Sequence, residues 1–382
     1  MSASSNPRSE LSGTSRCVPL LLFVSGALAL IYEIVWQREF ALVFGSAAPA
    51  TAAVLAAYFA GLGLGALVIG RVAKQWSRPL RTYALLEVLV GVGALLVSPL
   101  LSLFEGAYPF FIDVFSAYPA GLMAVRTAAA FAILMIPTFC MGGTLPVLGE
   151  LVDRSHQRLG ITVGWLYIVN TVGAGIGALL VPFLLMRQFG LSGTVALCAA
   201  LNGVLAVIAF GLDRRHRIAF VVGQRSVELR KKKKSLRPSI VVGTDRGALG
   251  LALISGVVTF ALQVLWNRAF AQVHENSMYS FAIIVAVVIF ALAIGGQLAR
   301  VGLRRGVEPE KLIGGAWLMA GAVVVVGPWM FVRMSNGLSY LPNGGGWMGD
   351  SYHLMRLAGA LLLTPMALLG IGFPAIMERA GR

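Results

Sequence analysis

Two stretches of this chain match each other at a fixed interval. Residues 26–71 and 256–300 align at a constant offset of 230: Gly26 matches Gly256, Trp36 matches Trp266, Arg38 matches Arg268, Phe40 matches Phe270 and Gly65 matches Gly295. Tyr32-Glu33-Ile34-Val35-Trp36-Gln37-Arg38 returns as Leu262-Gln263-Val264-Leu265-Trp266-Asn267-Arg268. A second set matches at offset 228, where Pro137, Gly142, Pro146 and Glu150 answer to Pro365, Gly370, Pro374 and Glu378. Two parallel halves of six helices are the expected product of such a repeat. Two further hydrophobic spans follow Glu150, whereas the second copy stops four residues after Glu378, so the spans read as six plus an incomplete four.

Composition assigns those spans to a membrane. Of the 382 residues 58% are hydrophobic and 12% charged, where a soluble domain carries roughly a quarter charged residues. The mean hydropathy is +0.82. Ten apolar runs are long enough to cross a bilayer: about 18–42, 48–70, 82–104, 120–148, 160–186, 190–211, 247–272, 278–299, 312–332 and 353–376. Residues 17–30 alone resemble a signal peptide, with Arg8 and Arg16 before them, but nine further spans favour a retained first helix. The expected fold is therefore all-α: a polytopic membrane helix bundle of about ten transmembrane helices with a major-facilitator-like parallel repeat. Its parts are an N-terminal tail (1–16), a first six-helix half (17–212), a basic linker (213–246) and an incomplete second half of four helices (247–382).

Charge placement predicts orientation. Of the 31 Lys and Arg residues, 25 fall in the tails and the alternate loops that share one side, eleven of them between Arg214 and Arg246. The opposite loops carry Glu105, Asp113, Glu275 and Asp350. The positive-inside rule then puts both termini in the cytoplasm of a multi-pass bacterial inner-membrane protein. The net charge of +15 is for the most part a topology signal, and no nucleic-acid partner is expected; the partner every span requires is the lipid bilayer. The run Arg230-Lys231-Lys232-Lys233-Lys234 reads as a solvated, orientation-setting linker, with contact to anionic headgroups as the sharper alternative.

Charged groups inside spans are costly, face the bundle interior and pair there. Glu33 is the clearest, and its matched position is the neutral Gln263. Glu87 lies early in the third span, Arg126 and Arg356 near the outer starts of the fourth and tenth, and Asn170 and Asn202 in the fifth and sixth. One reading makes Glu33 a proton- or cation-coupling carboxylate with Arg126 or Arg356 as partner, Arg126 first; the other makes it an interhelical ion pair that fixes packing. For Arg38, Arg268, Arg126 and Arg356 the packing reading is favoured, because side chains near the interface reach back to water. For the asparagines, hydrogen bonding between helices is favoured.

Gly61, Gly63, Gly65 and Gly70 have the spacing of a dinucleotide loop, but they lie within an apolar helix and follow no strand. Close helix packing explains Gly61 with Gly65, and Gly173 with Gly177. Pro137 and Pro146 bracket Gly142, and Pro365 and Pro374 bracket Gly370. Paired interruptions of matched helices point to a transport site; passive kinks are the equal alternative. Cys17, Cys140 and Cys198 fit neither a disulfide framework nor a metal site and read as small packing residues. No cofactor is expected, and His156, His216, His274 and His353 lack metal-ligand spacing.

Three segments together carry a family resemblance: 32–38, Pro137-Thr138-Phe139-Cys140-Met141-Gly142-Gly143-Thr144-Leu145-Pro146, and Gly164-Trp165-Leu166-Tyr167-Ile168-Val169-Asn170-Thr171-Val172-Gly173-Ala174. From about residue 20 to 376 the chain resembles bacterial membrane proteins in which a major-facilitator-like helical region is fused to a spermidine synthase-like domain. Loop 65–81 also resembles a degraded major-facilitator loop motif, with Gly65, Gly70, Arg71, Lys74 and Arg78 but without the acidic residue. The resemblance implies polyamine chemistry carried out by a soluble, nucleotide-fold aminopropyltransferase-like domain, and nothing of that kind follows Arg382. The expectation is thus the membrane portion of such a fusion, cut short or split, serving a cytosolic spermidine synthase-like domain or a separately encoded subunit. A stand-alone major-facilitator-type transporter of a small cation or amine is the alternative. Catalysis by this polypeptide alone is the weakest of the three readings.

Overall fold

Hydrocarbon offers peptide groups no hydrogen-bond partner, so an apolar span satisfies its backbone internally as a helix. The computed structural model describes residues 7–45, 48–73, 75–76, 78–115, 117–153, 159–227, 246–274, 277–339 and 346–380, and among them there is no strand. The elements are α1 (Pro7–Phe44), α2 (Ala48–Ala73), α3 (Pro79–Phe115), α4 (Pro119–Asp153), α5 (Leu159–Leu180), α6 (Met186–Val227), α7 (Arg246–Phe270), α8 (Met278–Arg304), α9 (Pro309–Met334), α10 (Gly346–Gly370) and α11 (Gly372–Ala380). One π-helical turn, Val181–Leu185, joins α5 to α6.

Among the described residues nine helices are long and apolar enough to cross a membrane, the longest being the 51 residues Gly164–Arg214. At about 1.5 Å per residue that length is more than twice the roughly 30 Å hydrocarbon core. Gly190, at φ 64° and ψ −169°, is non-helical and lies inside α6. The helix is interrupted by a kink there, in a conformation that an L side chain disfavours. Counting the apolar stretches on either side of Gly190 separately gives the ten spans expected from the hydropathy. The basic run 230–234 lies outside the described residues; α6 itself continues to Val227.

Within the first six spans α2 packs chiefly on α4, α1 on α5, and α3 on α4 and α6; beyond them α8 packs on α10. Glycines set these distances as their spacing predicts. A Cβ on Gly61 would overlap the Thr138 side chain, and Cβ atoms on Gly173 and Gly177 would overlap the backbone of Phe23 and Ala27. Two pairs of glycines matched in the sequence make similar contacts. Gly65 lies against the Phe139 carbonyl, and Gly295 against the carbonyl of Ala367, the residue matched to Phe139. Gly142 lies against the Leu62 carbonyl, and Gly370 against that of Leu292. The correspondence ends at α7. Gly26 on α1 is pressed against Asn170 of α5, whereas Gly256 faces open space. Leu253 and Val257, matched to Phe23 and Ala27, are 69% and 57% exposed.

The first six spans and the later four join along α5 and α8. At one end Tyr167 meets Phe373 with ring centroids 4.4 Å apart, and the Arg300 guanidinium lies 4.9 Å above Trp165. At the other end Phe183 meets Tyr279 at 5.5 Å. A separate contact at 5.5 Å brings Phe59 of α2 to Phe260 of α7.

Candidate functional site

Of three buried carboxyl groups on or against α1, Glu33, Glu39 and Glu87, the first and last stand in opposite states of satisfaction. Glu87 of α3 is 1% exposed. It accepts from Ser25 Oγ at 2.7 Å and from Asn202 Nδ2 at 2.5 Å, one donor to each oxygen. Asn202 Oδ1 in turn accepts from the Tyr32 hydroxyl at 2.7 Å, and the Tyr83 hydroxyl donates to the Leu21 carbonyl at 3.3 Å. This connected network pins α1, α3 and α6 together at one depth. The asparagine acts as its residue type suggests, bridging helices. The arrangement spends the acceptors of Glu87 on helix packing.

Glu33 differs. It is 3% exposed, and its Oε1 has no hydrogen-bond partner. Glu33 therefore turns inward, as an intramembrane carboxyl must. The Tyr58 hydroxyl of α2 lies within electrostatic range of it, while donating to the Ala29 carbonyl at 2.8 Å. On the neighbouring positions of α1 Tyr32 stacks on Trp36 with centroids 5.1 Å apart, and Trp36 meets Tyr58 of α2 edge-on at 6.3 Å. Trp36 Nε1 and Gln37 Oε1 are also buried and unpartnered. On α7 the matched Gln263 is 5% exposed, and both amide atoms of Asn267, matched to Gln37, are buried without partners.

The expected pairing of Glu33 with Arg126 is not formed. Arg126 Nε donates to the Tyr108 hydroxyl at 2.5 Å, with its Cζ 5.4 Å from that ring. The physical reason is placement: α4 packs on α2 and α3 and touches α1 only lightly, so the guanidinium meets a phenol of α3. Arg356 is exposed and lies 5.7 Å over the Tyr352 ring, a position from which its head reaches water. Arg38 and Arg268 are exposed as well.

The proline brackets also differ from the paired interruption the sequence predicts. α4 runs unbroken through Pro137, Gly142 and Pro146, whereas the matched bracket divides at Ile371, between α10 and α11. In α4, Gly142 and Gly143 serve contact with α2, against Leu62 and Ile69, and Pro137 packs on Gly93 of α3. A helix clamped on two sides tolerates the hydrogen bonds its prolines forgo. Pro365 is buried, and Pro374 packs against Gly164 and Gly296 where α11 meets α5 and α8. Asn170 is half-buried, its carbonyl and amide oxygens filling the space above Gly26.

Glu39, further along α1, is 8% exposed; its Oε1 accepts from Ser98 Oγ of α3 at 2.8 Å and its Oε2 has no partner. Arg81 of α3 pairs with Asp213 of α6 at 3.0 Å. Arg81 and Arg214 also flank the Phe210 ring at 5.0 and 4.7 Å.

No protein-family profile matches the chain. It is 23% identical over 275 residues to a polyamine aminopropyltransferase of Corynebacterium efficiens, covering 70% of this chain and 47% of that protein. It is 28% identical over 209 residues to the polyamine aminopropyltransferase of Mycobacterium tuberculosis, covering 53% and 36%. The chain thus spans half or less of the length of the curated relatives it matches. Among solved structures it is similar to the nucleoside transporter NupG, with a TM-score of 0.47 and 12% identity over 98% of this chain and 90% of that one. It is also similar to the POT family transporter PepTSo, with a TM-score of 0.39 and 14% identity over 95% and 88%. The chain is a multi-pass, all-helical membrane protein.

Proposed function

We propose that this chain is the membrane-embedded portion of a polyamine aminopropyltransferase-like protein. In this reading it sits in the bacterial inner membrane with both termini cytoplasmic, and holds a synthase-like domain or separately encoded subunit at that face. The observation that carries the reading is the 275-residue similarity to the Corynebacterium efficiens protein. It falls in a chain whose described elements are all helices, so what the two share is a membrane region. Two measurements test it together. The genomic region downstream of the codon for Arg382 should encode a nucleotide-fold synthase-like domain, in frame or as the next gene. A reporter fused at Arg382 should report cytoplasm. An isolated gene, or a periplasmic reporter signal, overturns the reading.

A second reading is favoured by one observation, the buried carboxyl of Glu33 with an unpartnered oxygen. Here the chain is a secondary transporter of a small cation or amine, and Glu33 is its coupling group. Proteoliposomes should accumulate labelled putrescine or spermidine when a pH gradient is imposed. Glu33→Gln should abolish that accumulation while inserting into the membrane at wild-type levels. Uptake by the Gln variant equal to wild type removes Glu33 from the coupling role.

A further inference from the structure

Buried polar atoms without partners are few in a native fold, and each asks for an explanation. Three of those among the described residues fall within one turn of α1: Glu33 Oε1, Trp36 Nε1 and Gln37 Oε1. Positions 33, 36 and 37 are i, i+3 and i+4, which share one face of a helix. Glu33 is 3% and Gln37 8% exposed, so neither oxygen is completed by bulk water. Both bare oxygens are acceptors, and one belongs to a carboxyl group. What such a pair lacks is a donor, and a cationic donor would also balance a carboxylate.

The walls narrow the choice of donor. Trp36 is wholly buried, Tyr32 stacks on it at 5.1 Å, and Tyr58 meets it at 6.3 Å. The negative faces of aromatic rings attract organic cations, and cages of this kind take ammonium groups. A calcium ion takes six to eight oxygen ligands, and this face presents two unpartnered acceptors. The Tyr58 hydroxyl is committed to the Ala29 carbonyl, and its ring packs edge-on against Trp36 and Phe59. Glu39 also keeps one bare oxygen, Oε2, but its other oxygen is held by Ser98, and the contrast with Glu87 marks Glu33 as open. Glu87 has a protein donor on each oxygen, whereas Glu33 keeps one oxygen bare.

We propose that Glu33 and Gln37, with the rings of Trp36 and Tyr58, form a binding site for the primary ammonium group of a protonated alkylamine. Glu33 supplies the charge and one acceptor, Gln37 supplies a second acceptor one turn further along α1, and the two rings enclose the cation. The proposal rests on the transport reading for the route by which an amine reaches α1, and goes beyond it by naming the ligand class and the residues that hold it.

Equilibrium dialysis of the detergent-purified protein with labelled putrescine tests the site with no gradient present. Saturable binding is expected, displaced by methylammonium and not by sodium at the same concentration. Glu33→Gln should weaken binding about tenfold or more, and Gln37→Leu several-fold, since each removes one acceptor for the ligand. Trp36→Phe should retain most of the affinity and Trp36→Leu should lose it. The Glu33→Gln protein keeps the side-chain volume and should stay monodisperse with unchanged helical circular dichroism, which separates lost binding from lost folding. Absence of saturable putrescine binding to the wild type overturns the proposal. So does undiminished binding by Glu33→Gln, and so does sodium displacing putrescine as well as methylammonium does. Binding without uptake in proteoliposomes keeps the site and rejects the transport reading; uptake with undiminished binding by Glu33→Gln does the reverse.

Discussion

Replacing Gly65 with leucine will detach α2 from α4. A Cβ at that position meets the Phe139 carbonyl, and at Gly61, one turn away, it meets Thr138. From the other side Gly142 lies on the Leu62 carbonyl. A clash with backbone is not relieved by turning a rotamer, so the helices must separate along the most extensive helix pair in the molecule. Overpacking costs about 1–3 kcal/mol where side chains can yield and more where they cannot, so about 3 kcal/mol or more is expected here. The measurement is thermal unfolding in detergent, read beside the monodisperse fraction on size exclusion. Gly295→Leu should behave alike, because it meets the Ala367 carbonyl, and Gly26→Leu should do so against Asn170. Gly63 and Gly256 have open space around them, and leucine there should shift stability by roughly 0.5 kcal/mol or less. Equal tolerance at Gly65 and Gly63 would reject the close α2–α4 contact.

Glu87→Leu will destabilise the protein, while Glu33→Gln will not. Losing Glu87 strands the Ser25 hydroxyl and the Asn202 amide, both of which now donate to it. It also loosens the Tyr32 hydroxyl that reaches Asn202 Oδ1. Each buried group left unpartnered costs about 1–3 kcal/mol, so a loss of about 3 kcal/mol is expected for the set. Asn202→Leu should cost a similar amount and the double variant less than the sum, as residues sharing one network are not additive. Glu33 has no such partner at Oε1, and exchanging its carboxyl for an amide removes a buried, incompletely satisfied acid. Its unfolding midpoint should hold or rise. Opposite signs for the two acids separate a group that holds helices together from one kept open. A fall at Glu33→Gln as deep as at Glu87→Leu would make Glu33 a packing residue.

The spans were legible in the sequence because lipid imposes one solution. About twenty apolar residues must be a helix wherever they occur, and the interruption at Gly190 falls where the runs 160–186 and 190–211 meet. The close-packing role of Gly61, Gly65, Gly173 and Gly177 was legible for a related reason, since small residues four apart let two backbones meet. The inward side of Glu33 was legible too, since a carboxyl group does not face hydrocarbon.

Partner choice was not legible. Arg126 takes Tyr108, Glu87 takes Ser25 and Asn202, and Glu39 takes Ser98. Each pair joins groups on different helices, and which groups face each other depends on the rotation and depth of every helix. Nor does a proline declare whether its helix breaks. α4 stays continuous through Pro137 and Pro146, while the matched bracket divides at Ile371, the difference lying in what packs beside each. The sequence alone determined which segments enter the membrane and which residue types lie against a neighbour, because those follow from the solvent and from side-chain size. Tertiary structure decided which acid is consumed by packing and which keeps a bare oxygen, because a hydrogen bond needs two groups within about 3 Å and only the assembled bundle sets that distance.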